Sequence, residues 1–281
     1  MNKIKETAMK YVFLFTACLS IISVLLICIF LFANGIPGMA KIGFIDFLTG
    51  TKWKPGNGIY GIFPMILGSI YVTAGAIIVG VPIGLLCAIF LARFCPEKLY
   101  KLLKPAVNLL AGIPSIVYGF FGLVVIVPIM QDIFGGGGKG ILTASILLGI
   151  MILPTIISVT ESSLNAVPES YYEGSLALGA THERSVFRVI FPAAKSGITA
   201  GIILGIGRAI GETMAVMMVA GNQPILAKSV TSGVRTLTAN IAMEMGYATG
   251  LHREALIATA VVLFVFILII NLCFSAVKKK D

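Results

Sequence analysis

The sequence predicts an all-α integral membrane protein with about six transmembrane helices, on three observations. Of its 281 residues 58% are hydrophobic and only 12% charged, about half the charged share of a soluble domain, and the mean hydropathy is +1.00. Six apolar segments, roughly 11–33, 62–91, 108–130, 141–160, 197–220 and 255–277, reach the ~20 residues that a helix needs to cross the hydrocarbon. With both termini cytoplasmic, thirteen basic residues fall in inside segments and seven in outside ones, the bias of the positive-inside rule. The net charge of +9 therefore sits at the ends of apolar segments and does not indicate nucleic acid. No soluble domain is left over, so 1–281 is expected to be one transmembrane domain with lipid around it.

Taken in order, Lys3, Lys5 and Lys10 precede the first span. That span is longer than a cleavable signal's apolar region and lacks a clear cleavage site, so it is expected to be retained. Trp53, the only tryptophan, stands beside Pro55-Gly56-Asn57-Gly58, a turn signal, and is expected as an interfacial anchor. The second segment is too long for one untilted helix and carries Pro64, Gly68, Gly75, Gly80, Pro82 and Gly84, which predicts a tilted, kinked or partly re-entrant span. Between spans three and four, Gly135 to Gly138 precede Lys139. A P-loop needs a glycine where Ile133 stands and a Ser or Thr where Gly140 stands, so this is a flexible turn. Five scattered cysteines without a CxxC, and two histidines in different loops (His182 and His252), offer neither a disulfide framework nor a zinc site.

The loop over 161–195 reads as two short helices. Pro168 suits a first helical position, with Glu169 and Glu173 in the first turns where acids favour the helix dipole. Gly179 is a terminator, Thr181 a cap, and Pro192 closes the second helix before the membrane. By itself such a segment is an amphipathic connector on lipid headgroups or a rigid unit held against the membrane face. Its spacing discriminates: Glu173-Gly174-Ser175, three residues, Gly179, nine residues, then Val189-Ile190-Phe191-Pro192 resembles the EAA loop of bacterial ABC importer permeases. Gly174 and Ser175 replace the two alanines of that pattern and stay small. The resemblance implies that the loop docks on a separate ATP-hydrolysing subunit.

Arg208 and Glu212 lie four residues apart inside the apolar run 197–220. A charge at the bilayer centre costs roughly 2.5–3.5 kcal/mol even on lenient insertion scales. Helical spacing puts both on one face with Gly197, Gly201, Gly205 and Ala215, close enough to touch. The face is either a small-residue packing seam with an internal staple, or the wall of a path for something charged. Arginine's planar fork matches a tetrahedral oxyanion. A carboxylate accepts a hydrogen bond from protonated phosphate and repels fully ionised sulfate, so the pair favours a protonated oxyanion.

The run Gly207-Arg208-Ala209-Ile210-Gly211-Glu212-Thr213-Met214-Ala215-Val216 resembles span five of the phosphate-specific ABC permeases of the Pst system, and Ala111-Gly112-Ile113-Pro114-Ser115-Ile116-Val117-Tyr118-Gly119 their third span. Trp53-Lys54-Pro55 and Ala220-Gly221-Asn222 are more similar to the PstC than to the PstA subunit. One departure is Arg93, where that family leads one to expect an acid. The resemblance implies a type I importer fold in a bacterial plasma membrane and a substrate path over Gly205, Arg208, Glu212 and Thr213. It also implies a PstA-like second permease, two PstB-like ATPase subunits that bind ATP and magnesium, and an external PstS-like phosphate-binding protein. This chain is expected to bind no cofactor or metal itself. A permease for another oxyanion (phosphonate, sulfate or molybdate) is the alternative. A membrane-embedded enzyme is the rival of another class, but no HExxH or GxSxG motif supplies its chemistry.

Overall fold

The computed structural model describes residues 3–278, with the backbone alone described for Lys3, Ile4, Ala8 and residues 274–278. Lys279 and Lys280, counted above in the last basic flank, lie outside the described residues. Among the described residues five helices are long and apolar enough to cross a membrane, or six if one bent pair is a single span.

Helix α1 (Lys3–Ile42) runs past the expected end of the first span. Its far end packs on the last helix, where a Cβ on Gly35 or Gly38 would collide with Val261 or Glu254, and Phe32 meets Phe264 edge-on at 5.9 Å. A short helix α2 (Phe44–Thr49) leads to a two-stranded hairpin, β1 (Trp53–Lys54) and β2 (Ile59–Tyr60). Pairing is antiparallel with Trp53 opposite Tyr60. The turn falls on Pro55–Asn57 as expected, and Gly58 closes it at φ +70°, a conformation glycine adopts without strain.

Helix α3 (Phe63–Phe94) is continuous, neither split nor re-entrant. Its glycines serve packing rather than bending. A Cβ at Gly80 or Gly84 would lie 2.8–2.9 Å from Ile152 or Ile156 of helix α6 (Ile141–Asn165), so the two backbones approach closely. The third span departs from the expected 108–130. Helix α4 (Glu97–Gly112) stops at Ile113-Pro114, both extended, and helix α5 (Ser115–Phe134) begins there. Pro114 forbids the α conformation at Ile113, which breaks the run.

Beyond α6 come α7 (Glu169–Ala177) and α8 (His182–Ala193). Then α9 (Lys195–Gly211) leaves α8 at a 71° bend on Ala194. A six-residue helix α10 (Met214–Val219), a loop, α11 (Leu237–Glu244) and α12 (Gly250–Lys278) complete the chain. The expected single helix over 197–220 is therefore broken at Glu212-Thr213. The largest apolar core gathers Val72, Tyr118, Leu147, Ile152, Ala209 and Val219, from α3, α5, α6, α9 and α10.

Candidate functional site

The break governs the Arg208/Glu212 pair. Helix α9 ends at Gly211, and Glu212 turns to extended backbone (φ −67°, ψ 128°). The two side chains then diverge instead of stacking at helical spacing. Arg208 Nη1 donates to Thr155 Oγ1 of α6 at 3.3 Å. Glu212 Oε1 accepts from the Ala215 backbone N–H at 3.1 Å and so caps α10. No ion pair joins Arg208 to Glu212 among the described residues. The Glu212 carbonyl, freed from helical bonding, accepts from Thr238 Oγ1 at 3.1 Å, and Thr213 Oγ1 donates to the Gly211 carbonyl.

The glycine face splits in two. Gly201 and Gly205 press on α6, and a Cβ at Gly205 would lie 2.9 Å from Ile156 Cγ1. This part of the arc is the packing seam, so Gly205, expected on the path, faces a neighbouring helix. Gly207 and Gly211 have nothing within 4 Å of a Cβ position. Alongside, α5 and α10 run parallel: Gly119 abuts Ala215 and Met218, and Gly122 abuts Val219. The breaks at Ile113-Pro114 and Glu212-Thr213 therefore sit at one level. Tyr118 lies within coulombic reach of Arg208 and spans its own break by donating to the Leu110 carbonyl at 2.8 Å. Arg208 is half-buried in the last turn of α9, the negative end of that helix, where a cation is favoured, an arrangement in which its guanidinium can attract anions. Thr155, which the sequence reading missed, completes it from α6.

The loop has the expected two helices, but Pro168 is the extended N-cap of α7 and not its first helical residue. Helix α7 closes in a Schellman motif, with Ala180 N–H bonded to the Ser175 carbonyl and Gly179 N–H to the Leu176 carbonyl. Gly179 sits at φ +83°. Thr181 Oγ1 caps α8 through the Arg184 N–H. Glu173, Gly174 and Gly179 are exposed, Ser175, Val189 and Phe191 half-buried, and Pro192 exposed in the last turn of α8. Leu178 at the tip is 91% exposed, with Tyr171, Leu176 and Phe187 also bare. Apolar side chains presented on one loop mark a surface for contact with a protein or with the membrane.

Arg93, the departure from the family pattern, is a structural tie. Its side chain is 12% exposed; Nη2 donates to the Leu164 carbonyl at 2.9 Å and Nη1 to Glu169 at 3.2 Å. His182 bonds the Arg93 carbonyl through Nε2 and Tyr172 Oη through Nδ1. One residue of α3 thus ties together the end of α6, α7 and α8. Nearby, buried Glu161 holds α4 by accepting from Tyr100 Oη at 2.7 Å and Lys104 Nζ at 2.6 Å.

Residues 80–280 match the family described as binding-protein-dependent transport system inner membrane component. The chain belongs to this family. It is 39% identical over 276 residues to the probable ABC transporter permease protein YqgH of Bacillus subtilis, covering 94% of this chain and 89% of that one. It is 37% identical over 265 residues to the phosphate transport system permease protein PstC of Mesorhizobium japonicum, covering 87% and 81%. A solved bacterial ABC transporter involved in the import of the acidic polysaccharide alginate shares the fold at TM-score 0.66 and 14% identity, over 99% of both chains. The permease is thus a multi-pass inner membrane protein, a transport component and not an enzyme.

At the end of the permease opposite the loop, Glu244 is a hub. It accepts from Trp53 Nε1 at 2.9 Å and pairs with Arg235 and with His252 Nε2. Trp53, expected as an interfacial anchor, is buried. Arg235 reaches on to the carbonyl of Asn222, just past α10. Burial pushes the Glu244 carboxyl up, but hydrogen bonds from Trp53, His252 and Arg235, with the Arg235 charge, outweigh it and hold the carboxyl below its usual range.

Proposed function

We propose that this chain is the membrane-spanning subunit of an ATP-driven importer that passes inorganic phosphate by alternating access. The observation that carries the reading is Arg208, half-buried and tethered to Thr155 at the level where two spans break. A guanidinium there, with the N-terminal end of α5 at the same level, offers a tetrahedral oxyanion bidentate hydrogen bonds and a positive field. Glu212 spends one oxygen on Ala215, and its other oxygen is placed to accept from an oxyanion that keeps a proton. That favours phosphate over sulfate. The relatives named as phosphate permeases support the same substrate.

The motor lies in partner chains. ATP and magnesium bind two PstB-like ATPase subunits, which engage the exposed tip around Leu178 and Gly179. A PstA-like permease completes the pathway, and a PstS-like protein delivers phosphate from outside. In this orientation both termini and the α7–α8 hairpin are cytoplasmic, and the Trp53 hairpin faces outward.

The test is binding-protein-dependent uptake of radiolabelled phosphate by the assembled complex, competed with sulfate and phosphonate. Arg208→Gln abolishes uptake while assembly persists. Full uptake by that variant overturns the role of Arg208, and competition by sulfate at equal concentration overturns the substrate.

A further inference from the structure

Three segments meet at His182, and its bonding selects one tautomer of the neutral ring. A carbonyl oxygen only accepts, so the 3.1 Å contact with the Arg93 carbonyl requires hydrogen on Nε2. In the neutral ring Nδ1 is then the bare nitrogen, and it accepts from Tyr172 Oη at 2.7 Å. The neutral ring is therefore used at both ends, bridging α7 and the end of α3 from its own place at the start of α8. Phe94 holds it edge-on at 4.7 Å. The same Arg93 whose carbonyl it grips has its guanidinium committed to Leu164 and Glu169. The coupling hairpin is thus fastened to α3 and α6 through an arginine with little exposure, independently of its covalent continuation into α9.

We propose that His182 is a positioning residue for energy coupling: it makes the α7–α8 hairpin and the end of α3 one body. A push on the exposed tip then reaches α3 and α6 together with α9. Without the bridge the hairpin keeps its apolar packing on Ile89 and Leu164 and the Arg93–Glu169 pair. It loses the hydrogen bonds that fix α8 to the end of α3, so its tilt reaches α9 ahead of α3. ATP is then hydrolysed with a poorly matched rearrangement of the span pair that Arg208 and Thr155 straddle. The inference rests on the proposed reading that this loop is the ATPase contact.

The experiment reconstitutes the complete complex in proteoliposomes and measures phosphate imported per ATP hydrolysed, with a separate pull-down for ATPase-subunit docking. His182→Phe keeps the ring against Phe94 and removes both hydrogen bonds. It is expected to leave docking and ATP hydrolysis within about twofold and to lower the import-to-ATP ratio by about fivefold or more, since one net hydrogen bond corresponds to roughly that factor. His182→Gln restores an N–H toward the Arg93 carbonyl and recovers most of the ratio. Should His182→Phe fail to assemble, Tyr172→Phe deletes one hydroxyl and is expected to lower the ratio in the same direction. An unchanged ratio in the assembled variant, or no recovery with glutamine, overturns the proposal. A wild-type complex that docks no ATPase subunit instead refutes the reading on which it rests.

Discussion

Arg235 and Glu244 form an ion pair from which solvent is nearly excluded, their side chains 11% and 8% exposed. Through it the hairpin at Trp53, the head of α12 at His252 and the segment after the broken helix at Asn222 are held as one unit. Replacing Glu244 with Gln keeps the shape and removes the charge, leaving Arg235 uncompensated. Breaking a buried pair from one side costs about 3–5 kcal/mol. Thermal unfolding of the purified chain in detergent should show a clear loss, and an unchanged melting temperature would contradict the hub.

The same carboxylate sets an acid dependence. Its folded pKa lies below its unfolded value, so its contribution is present above the ordinary glutamate range of about 4.3. That contribution is lost as pH falls through the lower folded value. Wild-type stability should therefore drop on acidification below about pH 4, more steeply than that of Glu244→Gln. Parallel acid limbs in the two proteins would show that another group controls the transition.

Gly179 tests the docking tip without touching its contacts. Nothing lies within 4 Å of its Cβ position, yet its φ is +83°. Gly179→Val is disfavoured by the backbone alone, by roughly 1–2 kcal/mol, and should distort the Schellman turn. Gly179→Asn tolerates the left-handed conformation. Pull-down of the ATPase subunit should weaken with valine and survive with asparagine; equal retention by both would argue against the loop as the contact.

Two glycines on one helix should respond oppositely. Gly205→Leu drives atoms into Ile156, an overpacking worth about 1–3 kcal/mol. Gly207→Ala meets open space and gains up to about 1 kcal/mol of helix propensity. Melting curves that fell equally for both would mean the seam does not lie where the structure puts it.

Arg208 and Glu212 do not touch, so each is expected to fail separately. Arg208→Gln/Glu212→Gln should import no better than Arg208→Gln. Recovery of uptake in the double variant would restore the staple that the helix break denies.

The loop was legible because its signals are local: Gly179 needs a left-handed residue, and Thr181 needs only the amide three positions on. The packing role of the α3 glycines is not legible, since what they approach, Ile152 and Ile156, lies about seventy residues away. Ile113-Pro114 carried a local warning that was passed over because the flanking apolar run looked continuous. The break at Glu212 had a weaker one: Gly211 stands there, but the decisive contacts come from the Glu212 cap on Ala215 and from Thr238 on a distant segment. Arg93 is opaque in the sequence for the same reason. Its meaning resides in Leu164, Glu169 and His182, which no spacing rule connects to it.

The 71° corner at Ala194 has a geometric consequence. Arg208 stands thirteen residues beyond Lys195, about 20 Å along the axis at a rise of ~1.5 Å per residue. Swinging α9 by about 10° about that corner would carry the guanidinium through ~3 Å. That distance is about one hydrogen-bond length, comparable with the 3.3 Å that separates Arg208 Nη1 from Thr155 Oγ1. On the proposed reading the corner would act as a bell crank, turning a modest tilt of the α7–α8 hairpin into a stroke of molecular size at the charge.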